Sequence, residues 1–227
     1  MADNKHENII ELLRAKVMLK QEVFSKTEEV FDELKKILSD ISSNLTSKVK
    51  SIDSRLVVSY KETSESEIEF TLADETLLFV LHSNIFTFDT AHEVWKMPYV
   101  QKNKDNAYCG KIFIYNFLSD SFKYNRTNDI GYLIGRIFVN KEKHFFVEGK
   151  KQLSYLYNDF SLSVLDTESL SKIIESAILY SLDFDPFTPP FEQQGQISVG
   201  EVIDASLQSR ITTGKRLGFK FQSDSNF

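Results

Sequence analysis

The first fifth of the chain carries a repeat of apolar residues at alternating three- and four-residue steps. The repeat starts at Ile10 and is interrupted only at Lys20 and Thr27. Because an α-helix turns once in about 3.6 residues, this spacing places the apolar side chains along one side of a helix. The sequence therefore predicts a long amphipathic N-terminal helix. Its apolar positions are Ile10, Leu13, Val17, Phe24, Phe31, Leu34, Leu38, Ile41 and Leu45.

A second set of apolar residues, at positions 9, 23, 30 and 37, widens this stripe. Three apolar positions in seven are more than a two-stranded coiled coil needs, so the helix should lie against the protein's own body or in a multi-helix bundle. A helical hairpin is an alternative, because Lys20 occupies a core position and Ser25 and Thr27 are weak helix formers. The Ser-rich segment Ser39–Ser54 should end the helix.

We predict that this helix forms an interface, either with another copy or with a protein partner. An apolar stripe of this width would be a large exposed patch if it were left in water. The residues assigned to the interface are Ile10, Leu13, Val17, Phe24, Phe31, Leu34, Leu38 and Ile41.

After Arg55 the pattern changes to short aromatic and β-branched runs, many of which alternate with polar residues. A period of two is typical of half-buried strands. The sequence thus predicts an α+β fold with a largely antiparallel sheet of about seven to nine strands. Candidate strands cover residues 56–61, 67–72, 77–81, 85–88, 112–117, 122–125, 132–139, 145–147 and 217–221.

A second helix is predicted after Asp166 or Thr167, which can cap it, and before Pro186, which stops it. Its apolar residues recur at helical spacing, so it should pack on one face of the sheet. The domain organisation expected from these patterns is a helical arm over residues 1–50 and a body over residues 55–191. Residues 192–227 would form a linker and a tail with a short helix and a strand.

The segment Thr90–Gly110 has no clear strand or helix pattern and a polar middle. Long irregular segments in compact domains often carry binding residues. Aromatic side chains near its ends would be the anchors of such a site. The candidate binding residues are Trp95, Tyr99 and Tyr108.

Composition narrows the class of protein. The formal net charge of -6 opposes binding to phosphate backbones, so nucleic acid is not an expected partner. The only cysteine, Cys109, excludes an intrachain disulfide and suits a reducing compartment. The start of the chain has no signal-peptide pattern, and no apolar run is long enough to cross a membrane. We therefore expect a cytoplasmic protein that has no membrane partner.

One cluster has a weak catalytic pattern. Glu148 and Lys150 end a predicted strand, and Asp129 lies upstream. Nucleases of the PD-(D/E)xK type use such acids to hold a divalent cation and such a lysine to stabilise the attacked phosphate. Alternate residues of a strand share a face, so the local geometry fits. Gly149 departs from the usual apolar middle residue, and a charged strand end explains the residues equally well.

No other motif points to catalysis. The four histidines are not spaced as metal ligands, and phosphate-loop, dinucleotide-binding and nucleophile-elbow motifs do not occur. Neither a cofactor nor a metal is therefore expected. The function expected from the sequence is that of a non-catalytic binding or adaptor protein acting through its N-terminal helix. The alternatives are a metal-dependent nuclease and a small-ligand sensor with an aromatic-lined pocket near the Thr90–Gly110 segment.

Overall fold

A computed structural model of the chain describes residues 2–53, 55–127, 129–154 and 159–185. The first element is one helix, α1 (Ala2–Ile52), which at 51 residues is about 76 Å long. It is a single helix and not a hairpin, and Lys20 and Thr27 lie inside it. It ends within the Ser-rich segment, as the sequence predicts. The long N-terminal helix is thus confirmed.

The sheet contains six antiparallel strands that are neighbours in chain order. Each strand follows the previous one in a meander, with β1 and β6 at the edges. The α+β class and the antiparallel sheet are confirmed. The strands are β1 (Val58–Ser64), β2 (Glu67–Leu72), β3 (Glu75–Leu81), β4 (Cys109–Leu118), β5 (Tyr132–Asn140) and β6 (Phe145–Gly149).

The expected count of seven to nine strands is wrong for the described residues. Residues 122–125 do not form a strand, because the chain turns after β4 into a short helix, α3 (Ser119–Lys123), in which the Tyr124 N–H donates to the Asp120 carbonyl at 3.0 Å. Residues 85–88 contribute only an isolated bridge between Phe86 and Cys109. The strand predicted at 217–221 and the rest of the predicted tail lie outside the described residues.

One face of the sheet carries the main hydrophobic core. It is covered by residues 23–45 of α1 and by the C-terminal helix α4 (Thr167–Leu182). The Asp166 side chain caps α4 by accepting from the Ser169 N–H at 2.8 Å, as predicted. The sheet contributes fully buried side chains to this core, among them Ile68, Phe70, Leu77, Phe79, Ile112 and Ile114.

The helix α1 packs against β4 where Thr27 faces Gly110. A side chain at Gly110 would overlap Thr27, since an added Cβ would lie 2.8 Å from the Thr27 Cβ. The Thr27 hydroxyl is buried and donates to the Val23 carbonyl of its own helix at 2.8 Å. The polar residue in the apolar repeat is therefore satisfied without a partner on the sheet.

The other face of the sheet is covered near β5 and β6 by the segment between β3 and β4. This segment contains two 3-10 turns, Glu93–Lys96 and Lys104–Ala107, and a short helix, α2 (Pro98–Lys102). It packs a second, smaller apolar cluster on the sheet. The cluster is built from Val94, Val100, Ala107, Cys109, Phe138, Phe146 and Phe160.

Candidate protein-binding surface

The helix α1 has two halves with different surroundings. Over residues 5–22 every side chain is exposed except that of Leu19, which is half-buried. From Val23 onward the helix packs on the sheet, and Val23 itself is fully buried. The first half therefore projects beyond the body as a free helix. We call residues 5–22 the projecting segment.

The projecting segment keeps the apolar repeat but leaves it uncovered. Ile10 is 63% exposed, Leu13 58% and Val17 48%. With Ile9, these residues fall on the face that continues into the buried stripe of the second half. Leu12 and Met18 are also exposed, but they lie away from this stripe. We call the face formed by Ile9, Ile10, Leu13 and Val17 the free stripe.

The residues assigned to an interface thus fall into two groups. Phe31, Leu34 and Leu38 are buried in the main core of this chain, and Phe24 and Ile41 pack against that core while partly exposed. Only three members of the assigned set lie on the free stripe. Their role in an intermolecular interface remains a prediction. They are Ile10, Leu13 and Val17.

Charged residues lie along both flanks of the free stripe. At 100° per residue, Glu7 and Arg14 lie along one flank, next to Ile10, and Lys16 lies along the other flank. Glu11 points away from the stripe. All of these side chains are exposed. Their position beside the repeat could have been noticed in the sequence, because charges that flank an apolar seam decide how helices pair.

The three aromatic residues predicted as binding anchors are not equivalent. The Trp95 indole N–H donates to the Asp89 carbonyl at 2.9 Å, and its ring packs against the second apolar cluster. The Tyr99 ring stacks on His144 with centroids 4.3 Å apart. Tyr108 is half-buried at the start of β4. Trp95 and Tyr99 hold the segment on the sheet, and a binding role for all three remains a prediction.

A network around Asn140 fixes this segment to the hairpin between β5 and β6. The Asn140 amide donates to the Tyr99 hydroxyl at 2.9 Å and to the Asn106 carbonyl at 3.1 Å. The Tyr99 hydroxyl in turn donates to Glu142 at 2.6 Å. Burial, followed by this bond to Glu142, raises the pKa of Tyr99 above its ordinary value. This network could not be predicted from the sequence, because its members are far apart in the chain.

A shallow groove of about 360 Å³ lies between the 3-10 turn Glu93–Lys96 and the edge strand β6. Apolar and charged side chains both line it, and Glu148 at its rim forms an ion pair with Arg136. This is the place where the small-ligand alternative would put a ligand. The lining includes His92, Glu93, Val94, Met97, Phe146 and Glu148.

The three residues of the nuclease pattern have separate surroundings. Asp129 accepts a hydrogen bond from the Ser121 hydroxyl at 2.6 Å, and Glu148 pairs with Arg136. Lys150 lines a different cavity, of about 280 Å³, beside α4. Among the described residues, no three His, Cys, Asp or Glu side chains are placed to hold a metal ion. Cys109 is fully buried, which raises the pKa of its thiol.

Comparisons with known proteins do not assign this chain to a family. No protein-family model, no curated protein and no solved structure matches it. Within the described residues, no helix combines the length and the hydropathy that a membrane span requires.

Proposed function

We propose that this protein is a non-catalytic cytoplasmic binding protein that self-associates, or docks on a protein partner, through the projecting segment. The observation that carries the proposal is the exposure of Ile10, Leu13 and Val17 on a helix whose other half is buried. Aligned apolar side chains on a free helix are typical of surfaces that another protein covers. Burying each of them would contribute about 1.5 to 3 kcal/mol.

The composition of the chain supports the cytoplasmic part of the proposal. Its single cysteine is buried and cannot form an intrachain disulfide. Disulfides stabilise many proteins of oxidising compartments and are rare in the reducing cytoplasm.

The test compares two sets of glutamine substitutions that remove apolar side chains from the same exposed helix. The variant Ile10→Gln/Leu13→Gln/Val17→Gln removes the free stripe, and the control Leu12→Gln/Met18→Gln removes apolar residues outside it. We expect the first variant to be monomeric in sedimentation equilibrium, while the control associates as the natural chain does. A natural chain that stays monomeric at high micromolar concentration, and that binds no protein through this stripe, would contradict the proposal.

A deletion provides an independent test, and the structure sets its boundary. Removing residues 1–50 would destroy the main core, because Phe31, Leu34 and Leu38 belong to it. Removing residues 2–20 takes away most of the projecting segment and no residue of the main core. We expect the shortened protein to keep its near-ultraviolet circular dichroism and to lose self-association. An insoluble product would show instead that the segment is needed for folding.

The alternatives have less support. For the nuclease, Glu148 and Asp129 already have partners in Arg136 and Ser121. For the small-ligand sensor, the groove beside β6 is shallow and partly charged. Magnesium-dependent cleavage of DNA that Glu148→Ala abolishes would favour the nuclease over our proposal.

A further inference from the structure

We propose that a second copy of this chain covers the free stripe, with the two helices antiparallel and with residues 6–17 of each in contact. This inference rests on the proposed function and specifies its partner. Three observations lead to the same register: the length of the projecting segment, the order of its apolar residues, and the charges along one flank.

The length of the projecting segment fits an antiparallel pair. Consider the register in which Ile10 of one copy lies opposite Leu13 of the other. In that register the contact ends at Val17, and Val23, the first buried residue in the described part of the helix, lies beyond it. The body of each copy therefore begins about 9 Å beyond the contact along the helix axis. The projecting segment, residues 5–22, contains the whole of this contact.

The apolar residues form layers in the same register. Two equivalent central layers pair Ile10 of each copy with Leu13 of the other, and the outer layers pair Val17 with His6. These are the inward positions of a two-helix seam. Lys20, the first polar interruption after Val17, falls beyond the layers that contain apolar residues. The register thus buries Ile10, Leu13 and Val17 without burying the lysine.

The charges along one flank become complementary. In antiparallel pairs, residues on the same flank of the two seams face each other. Glu7 of each copy then lies within one helical turn of Arg14 of the other, which makes two equivalent ion pairs. Both residues are exposed in the single chain. Opposite charges at such flanking positions set the orientation of paired helices.

A parallel pair would lack these features. Lys20 of one copy would face Lys20 of the other in an inward layer, and like charges there are repulsive. Glu7 and Arg14 would no longer meet, because in parallel pairs each flank faces the opposite flank of the partner. The two bodies would also lie side by side, at the same end of the pair.

A charge exchange tests the orientation. In the Glu7→Arg variant the new arginine faces Arg14 of the other copy, which should raise the dissociation constant of the dimer about fivefold or more. Arg14→Glu places two acids opposite each other and should have the same effect. The double variant Glu7→Arg/Arg14→Glu should restore the dissociation constant to within about twofold. Glu11→Arg is the matched control, since Glu11 points away from the seam, and it should leave the constant unchanged. Circular dichroism checks that all variants keep their helix content.

Cysteine cross-linking tests the register directly. In the proposed pair, Val17 faces His6 of the other copy, whereas the two Val17 residues are about 16 Å apart, too far for a disulfide. Mixing His6→Cys with Val17→Cys under mild oxidation should give a mixed disulfide dimer, and Val17→Cys alone should stay uncrosslinked. The natural Cys109 is buried and does not compete.

The outcomes separate this inference from the proposed function. If the natural chain associates and Val17→Cys alone cross-links, the pair is parallel and only this inference is wrong. If the chain associates but neither mixture nor single variant cross-links, the register is wrong. If the chain is monomeric at every concentration tested, a second copy is not the partner. If a different protein then binds through Ile10, Leu13 and Val17, the proposed function still holds.

Discussion

Leu13 and Leu34 occupy equivalent positions in one helical repeat, 21 residues apart, yet Leu13 is 58% exposed and Leu34 is fully buried. The backbone around both is an unbroken helix. The difference comes from what lies beside the helix: the sheet and α4 cover the second half, and no described part of the chain covers the first. A repeat of this kind therefore specifies a helix and an apolar face, but it does not specify which surface covers that face.

The largest effect that would test this comparison is the loss of a leucine from each half. Leu34→Ala should lower the free energy of unfolding by about 3 to 5 kcal/mol, because it leaves a cavity in a closed core. Leu13→Ala should change it by less than about 0.5 kcal/mol in the monomer, because its side chain is already in water. Urea denaturation at low protein concentration measures both. Equal losses would mean that the projecting segment packs on the body.

The next effect concerns the contact between Thr27 in the buried half and Gly110 on the sheet. Gly110→Ala should cost about 1 to 3 kcal/mol, because the new methyl group overlaps Thr27. Gly135→Ala is the matched control: its added Cβ would lie 3.3 Å from a terminal methyl group of Leu153, which can move. Thermal unfolding monitored by circular dichroism compares the two. A Gly110→Ala protein as stable as the natural chain would show that α1 can shift away from β4.

The smallest effects are expected at the two polar interruptions of the repeat. Thr27→Val should change the unfolding free energy by less than about 1 kcal/mol, because the lost hydroxyl bonds only to the carbonyl of Val23 in the same helix. Lys20→Leu should leave the stability of the monomer unchanged, since residue 20 lies in water. Chemical denaturation checks both. A large loss in Thr27→Val would indicate that the hydroxyl has a further role.

The sequence predicted the elements with strong periodicity. The helix α1, the cap of α4 at Asp166 and most of the strands follow from local spacing, because burial on one face repeats every 3.6 or every two residues. The prediction was wrong at residues 122–125, where aromatic residues suggested a strand. There the backbone turns into α3, and Phe122 packs edge-on against Phe117 with centroids 5.1 Å apart. An aromatic side chain can be accommodated in a strand or in a short helix, so its presence alone did not distinguish the two.

The candidate surface was only partly predictable. The repeat singled out Ile10, Leu13 and Val17, but it assigned the same role to Phe31, Leu34 and Leu38, which lie in the core. The segment Thr90–Gly110 looked irregular in sequence, yet Tyr99, Asn106 and Asn140 join it to the hairpin between β5 and β6. Hydrogen bonds between residues some 40 positions apart produce no periodic pattern in the sequence, so they could not be predicted from it.

The order of residues alone predicts a long amphipathic helix, an antiparallel sheet and a capped C-terminal helix. These features depend on the order of apolar and polar residues over a few turns or strand steps. The point at which α1 joins the core is visible only in the folded structure. That boundary lies near Val23, which is fully buried, and one turn later Thr27 packs against Gly110 on the sheet. Burial depends on which surfaces the whole chain brings together, and not on the spacing of residues along one helix.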